Sequence, residues 1–258
     1  MNRKKLTSTF FLDGEFPWAC PSCNRYSLKI VESSFHKDIT SQSHDICNHF
    51  NQWIPEEIEY KYSCLLKCQN KTCNEIISSV GSGFIDLISY KVVEGYDYPE
   101  PIYGDYYKPM FFEPSLNLIS IPDRCPDSIR EPLRESFKLF FSSTGSSANN
   151  ARVAIEALLT EMEVPTKKID KNGKPAFMPL HERIGKIPGE YNHVKDMLTA
   201  IKWIGNSGSH HGDAKPLVDD VIDIYELIEH VLEEVYAPRL SRLTAIAERI
   251  NQNKGPGQ

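Results

Sequence analysis

The sequence lacks the features that mark membrane-spanning, exported and fibrous proteins. No stretch reaches the roughly 18 consecutive apolar residues that a membrane-spanning helix needs. The segment from Met1 to Asp13 contains no apolar core of signal-peptide length. Gly and Pro supply only 14 and 17 of the 258 residues, which excludes collagen-like and low-complexity chains. We therefore expect a globular, cytoplasmic protein.

An excess of positive charge is also missing. The chain has 29 Lys and Arg against 35 Asp and Glu, which gives a formal net charge of −6. A protein that coats nucleic acid in general carries the opposite balance. Any contact with a polyanion must therefore be local.

Composition changes along the chain and predicts three segments. Residues 1–93 hold six of the seven cysteines and several short runs of alternating polarity, which are typical of strands. Residues 94–126 carry six prolines and five tyrosines, and we expect them to form an extended connecting strap because proline blocks helix. Residues 127–258 place apolar side chains three and four positions apart, as in core-facing helices.

The predicted fold class is α+β: a small β-rich module, the Pro/Tyr-rich strap and a bundle of four to six helices. Within the bundle, Gly205 is the expected end of one helix, because glycine commonly terminates helices. The polar segment 165–174 is predicted to be turn-rich.

Four cysteines form two closely spaced pairs, Cys20-Pro-Ser-Cys23 and Cys68-Gln-Asn-Lys-Thr-Cys73, with 44 residues between the pairs. A tetrahedral zinc ion takes four such thiolates, and two short knuckles can approach it from opposite sides. The pattern predicts a zinc-ribbon-like module with structural zinc on these four residues. The alternative is four reduced thiols without a metal.

Other cysteines and histidines leave further interpretations open. Cys64 lies four residues before Cys68 and is an alternative ligand. His44, Cys47 and His49 offer three further metal-ligating groups, but no fourth is evident nearby, so a polar loop is the competing interpretation. Cys125 has no neighbouring cysteine and predicts a buried thiol.

Two patterns in the helical part carry candidate chemistry. Asn150-Ala151-Arg152 with Glu156 puts a guanidinium and a carboxylate on one helix face, and Gly205-Asn206 is followed by His210 and an acidic amphipathic helix. In these two patterns the segment 127–237 resembles the domain-of-unknown-function family 4145 of the HEPN superfamily. The cysteine module and strap resemble the N-terminal extension that often precedes this domain in bacterial proteins.

The resemblance implies a helical, commonly dimeric domain. Many HEPN proteins are metal-independent RNases of bacterial defence and toxin–antitoxin systems, and related domains occur in restriction-enzyme subunits. Their usual motif places an arginine four to six residues before a histidine. Here Trp203, Ile204 and Gly205 occupy those positions before His210, so the motif is absent in its usual form.

A substitute set of groups is available for RNA cleavage without metal. The reaction needs a base, an acid and a cation on the phosphate, and histidine titrates in the right range for the first two roles. His210 is the predicted acid or base, Arg152 is the phosphate contact, and Glu156 orients either of them. Asn206 is the predicted hydrogen-bond donor. The sequence thus predicts an RNA-binding protein and a candidate endoribonuclease.

A second function class stays open beside this one. If Arg152 and Glu156 form only an intrahelical ion pair, the domain is a non-catalytic dimerisation or interaction module that partners a defence or restriction complex. Sequence-specific DNA binding by the cysteine module is disfavoured, because residues 18–93 lack a concentrated basic face.

Overall fold

The computed structural model describes residues 3–14, 16–49, 53–92, 98–207, 216–237 and 239–255. The chain divides into two compact units, Asn2–Asn117 and Leu118–Gln258. The first unit contains an antiparallel sheet and the second is mainly helical, which confirms the α+β class. Among the described residues, every helix is too short or too polar to span a bilayer.

The first unit is built on five antiparallel strands. Its elements are α1 (Arg3–Leu6), β1 (Leu28–Ile30), β2 (His36–Ile39), α2 (Ser41–His49), β3 (Glu59–Cys68), β4 (Ile76–Lys91) and β5 (Glu100–Glu113), with short 3-10 turns at Glu32–Ser34 and Pro55–Glu57. The strand order is β1-β3-β4-β5, and β2 pairs with the other end of β3.

One face of this sheet forms the core of the unit. Along β3, Tyr62, Cys64, Leu66 and Cys68 are buried, while the residues between them are exposed. This alternation is expected for a sheet with one packed face. Aromatic rings fill the space beneath it in a connected cluster of Phe10, Phe16, Trp18, Phe35, Tyr62, Tyr107 and Phe112.

The structure differs from the predicted strap. Residues Glu100–Glu113 of segment 94–126 belong to the sheet as β5, and the first unit extends to Asn117 instead of ending at residue 93. Proline lacks a backbone N–H. This is acceptable in β5 because β5 lies at the end of the strand order, where one side of the strand forms no continuous ladder of backbone hydrogen bonds. Pro109 lies next to a register shift in its pairing with β4. The prolines therefore mark an edge strand.

The histidine–cysteine segment 44–49 is helical and not a polar loop. Thr40 begins this helix, since its hydroxyl accepts the N–H of Ser43 at 3.2 Å and its carbonyl accepts the N–H of His44 at 2.9 Å. The ring Nδ1 of His44 is hydrogen-bonded to the side-chain amide of Asn48 at 2.7 Å.

The second unit is a helical assembly with one small hairpin. Its elements are α3 (Asp127–Phe140), α4 (Thr144–Glu161), β6 (Lys167–Ile169), β7 (Pro175–Phe177), α5 (Leu180–Ile184), α6 (Lys195–Ser207), α7 (Val218–Tyr236) and α8 (Arg239–Asn253), with a 3-10 segment at Gly189–Val194. Helix α4 lies at the centre and packs against α3, α6 and α7. Segment 165–174, which was predicted to be turn-rich, contains strand β6 and the turn of the hairpin.

A buried hydroxyl network joins three of these helices. The Tyr225 hydroxyl lies 2.8 Å from Ser136 Oγ and 2.7 Å from Ser147 Oγ. Each serine donates to the backbone carbonyl of the other, at 2.8 Å and 3.0 Å. Both serine protons are therefore used, and the single proton of the Tyr225 hydroxyl is donated to the serine oxygens.

Helix α6 continues to Ser207, so the predicted stop at Gly205 is wrong. A β-carbon at Gly205 would lie 2.7 Å from Cβ of Arg152 and 3.1 Å from the carbonyl of Ala148. Glycine is needed there because α6 and α4 approach too closely for a side chain.

Candidate metal centre and candidate phosphate site

Four cysteines of the first unit converge at one end of the sheet. The sulfur atoms of Cys20, Cys23, Cys68 and Cys73 all lie within 4.8 Å of one another. Cys20 Sγ is 3.8 Å from Cys73 Sγ, and Cys23 Sγ is 3.6 Å from Cys68 Sγ. These are free thiols, because a disulfide needs a separation of about 2.05 Å.

Two similar turns present the sulfurs. In each turn the second cysteine is followed by an asparagine with positive φ, Asn24 at 54° and Asn74 at 53°. Asparagine tolerates this left-handed conformation better than most residues. The backbone N–H of Cys20 bonds to the carbonyl of Arg25 at 2.9 Å, and that of Cys68 to the carbonyl of Glu75 at 2.8 Å. Each turn is thereby closed on itself.

The environment favours a thiolate at one of the four positions. The backbone N–H of Arg25 and the side chain of Asn70 lower the pKa of Cys23 to about 6. Burial raises the pKa of Cys20 to about 12, so that thiol ionises only with a cation beside it. Divalent metal supplies such a cation and deprotonates coordinating thiols.

The four sulfurs fit a tetrahedral metal ion. Zinc–sulfur bonds of about 2.3 Å place tetrahedral sulfurs about 3.8 Å apart, close to the separations found here. Within the described ranges, no other group of three or more His, Cys, Asp or Glu side chains is close enough to bind a metal. Cys64 is outside the cluster, and burial raises the pKa of its thiol to about 11. The four predicted ligands therefore lie together where they could hold a metal ion.

In the second unit, Arg152 and Glu156 form the predicted ion pair on α4. Arg152 Nη1 donates to Glu156 Oε1, and Nη2 reaches Asn149 Oδ1 at 3.3 Å. The Arg152 side chain is 24% exposed and that of Glu156 37%. Arg152 Nε is buried and has no hydrogen-bond partner in the part of the chain that is described.

A second guanidinium lies beside this pair and was not predicted. Arg183 of α5 is buried, and it donates to the carbonyl of Glu156 at 3.1 Å and to the hydroxyl of Thr160 at 2.9 Å. Burial lowers the pKa of Arg183, and the Glu156 charge opposes this shift. These bonds attach α5 to the C-terminal part of α4. Nothing in the local sequence signals this role.

The structure brings together only part of the predicted catalytic set. Asn206 is half-buried and directly follows Gly205, whose α-carbon lies against the Arg152 side chain. His210 lies outside the described residues. Of the four predicted residues, Arg152 and Glu156 are in contact, and Asn206 lies on the neighbouring helix α6.

Two family models match the chain. Residues 8–112 match a domain of unknown function, DUF8608, and residues 134–253 match another, DUF4145. The first match falls within the sheet unit, and the second bears out the resemblance of the helical unit to family 4145. No curated protein and no solved structure matches the chain.

Proposed function

We propose that this protein binds RNA through its helical unit, with Arg152 as the phosphate contact, and that it cleaves RNA without metal when His210 joins the site. The observation that supports the proposal best is the partly exposed Arg152 side chain, whose guanidinium is bonded to Glu156. A guanidinium has five N–H donors; with Nε buried, the bonds to Glu156 and Asn149 leave one N–H on Nη1 and one on Nη2 for a ligand.

The other predicted residues have supporting roles in this proposal. Glu156 orients the guanidinium, and Asn206 is a donor on the neighbouring helix α6. Phosphate oxygens accept paired bonds from arginine in a fixed geometry, which suits the clamping of a charged backbone. The resemblance to family 4145 supports a HEPN-like bundle and a setting in bacterial defence or stress response.

The first unit has a structural role in this proposal. We assign zinc to Cys20, Cys23, Cys68 and Cys73, in a zinc-ribbon-like turn pair. Four thiolates leave no open coordination position, so the metal would contribute folding energy and no reaction step.

The test is RNA binding and cleavage by the whole protein without divalent metal. Purified wild type, His210→Ala and Arg152→Ala are incubated with total RNA, and the new ends are scored for cyclic phosphate. We expect His210→Ala to bind RNA within about 2-fold of wild type and to produce no such ends. Arg152→Ala should weaken binding roughly 10- to 100-fold, since charge-assisted bonds contribute about 1.5–3 kcal/mol.

A matched control is Arg134→Ala, which removes an exposed arginine from α3 of the same unit. RNA binding by this variant should equal that of wild type. Equal cleavage by wild type and His210→Ala would remove the catalytic part of the proposal. Failure of wild type to bind RNA would remove the proposal as a whole.

A second candidate function, homodimerisation, is favoured by helix α8. Leu243, Ile246 and Ile250 are spaced three and four residues apart, and 46%, 39% and 45% of their respective surfaces are exposed. This spacing places them on one helix face, as in a coiled-coil seam. Light scattering should show that Ile246→Glu lowers the oligomeric mass, whereas Thr244→Glu, outside the seam, leaves it unchanged.

A further inference from the structure

Hairpin β6–β7 of the second unit presents an exposed face that combines an aromatic ring with positive charge. Lys167 pairs with Phe177 and Ile169 pairs with Pro175 in the antiparallel register. Directly opposed and alternate residues share one face of a hairpin. Phe177 is 83% exposed and Ile169 67%. We call these four residues the hairpin face.

The base of the hairpin is firmly held, so its exposed residues project from a fixed support. Val164 and Met178 are buried where the two strands begin and end. The Met178 N–H donates to the Thr166 carbonyl at 2.9 Å. Lys168 forms an ion pair with Glu182 of α5. The exposure of Phe177 is therefore a property of an anchored element.

The turn of the hairpin adds further positive charge. The Asp170 carboxylate accepts the backbone N–H groups of Asn172 and Lys174, both at 2.8 Å, and so stabilises the turn. Within the described ranges, Lys167, Lys171 and Lys174 form no ion pair with an acid. The hairpin thus carries four lysines and one aspartate in a chain of net charge −6.

We propose that a single strand of RNA lies along the hairpin face. The Phe177 ring stacks on a base, and the ammonium of Lys167 beside it contacts a phosphate. Lys171 and Lys174 contact phosphates further along the strand. An exposed aromatic ring can stack on any base, and lysines bind the charged phosphate backbone. Binding of this kind has no sequence preference.

This inference rests on the proposed function and extends its RNA-binding surface. The Arg183 guanidinium donates to the carbonyl of Glu156 and, at 3.4 Å, to that of Val164. One side chain therefore connects the helix that carries Arg152 to the base of the hairpin. An acidic peptide would satisfy the ammonium groups, but it lacks the planar faces that stack on a phenyl ring.

The test measures binding of a labelled oligoadenylate of about 12 nucleotides, a length within the usual site size for single strands. Phe177→Leu keeps an apolar side chain and removes stacking, so affinity should fall about 10-fold. Phe177→Trp should keep the affinity of wild type, because its ring also stacks. The double variant Lys171→Gln/Lys174→Gln should reduce the slope of log affinity against log salt by about 1.4.

The control is the double variant Lys138→Gln/Lys254→Gln, which removes the same number of positive charges at positions outside the hairpin. Its slope of log affinity against log salt should equal that of wild type. The hairpin assignment is overturned if Phe177→Leu and the Lys171/Lys174 variant bind like wild type while Arg152→Ala loses affinity, and the proposed function then survives. Absence of binding by wild type overturns both. Displacement of the RNA by polyglutamate at equal charge concentration overturns the single-strand assignment.

Discussion

The α-carbon of Gly205 lies against the side chain of Arg152. A methyl group at Gly205 would come within 2.7 Å of Arg152 Cβ and 3.2 Å of its Cδ. Neither atom is at the free end of the side chain, so helices α4 and α6 would have to separate. Position 205 thereby sets how closely α6 approaches the proposed phosphate contact.

Gly205→Ala is expected to lower the free energy of unfolding by about 1–3 kcal/mol, the usual cost of overpacking, measured by urea denaturation. Gly189→Ala is the control, since its β-carbon would meet nothing nearer than Asn192 Nδ2 at 3.9 Å. An unchanged midpoint for Gly205→Ala would contradict the close helix contact.

Cys23→Ser is expected to remove the bound metal and to expose the first unit to proteolysis, because three thiolates hold zinc more weakly than four. Metal content per chain and limited proteolysis are the measurements. Cys47→Ser, on α2 and outside the sulfur cluster, should retain the full metal content. Stoichiometric zinc in Cys23→Ser would contradict the assigned ligands.

Tyr225→Phe is expected to destabilise the second unit by about 1 kcal/mol, the usual net contribution of a hydrogen bond. The serines keep their bonds to each other's carbonyls, so the loss is limited to the tyrosine's donation. Thermal unfolding of Tyr225→Phe is compared with that of Tyr98→Phe, which changes a ring that is 84% exposed. A larger loss of stability in Tyr98→Phe than in Tyr225→Phe would exclude the hydroxyl network as the cause of the Tyr225→Phe effect.

The Lys168–Glu182 pair predicts a pH dependence. The hydrogen bond from Lys168 lowers the pKa of Glu182 below its usual value. The stabilisation is therefore present above the unfolded-state pKa of about 4.3 and is lost as pH falls through the folded-state pKa. Wild type should unfold at a higher temperature than Glu182→Gln at pH 7, and this difference should be smaller at pH 3.

Glu190→Gln replaces an exposed carboxyl elsewhere in the same unit and serves as the control for this titration. Its unfolding temperature should differ from that of wild type by the same amount at both pH values. A difference between wild type and Glu182→Gln that persists unchanged at pH 3 would rule out the ion pair as its origin.

Local patterns predicted those parts of the molecule whose physical cause is local. Apolar spacing predicted the main helices of the second unit, and Cys20 with Cys23 predicted a metal knuckle, because both depend on neighbours in sequence. Strand β5 was missed because its prolines are acceptable only at a sheet edge. The helix end predicted at Gly205 was wrong and the role of Arg183 was missed. Both residues contact α4, which is many residues away in the sequence.

The place of Cys68 in the sheet has a consequence for how the first unit folds. Cys68 ends β3, two residues after Leu66, which pairs with Ile77 of β4. Sliding one strand past the other by a single residue would turn the alternate side chains to the opposite face. The Cys68 sulfur would then point away from Cys20 and Cys23. A metal ion bound by all four sulfurs would be compatible with only one register of β3 and β4. Metal binding would therefore favour the correct strand pairing while the chain folds.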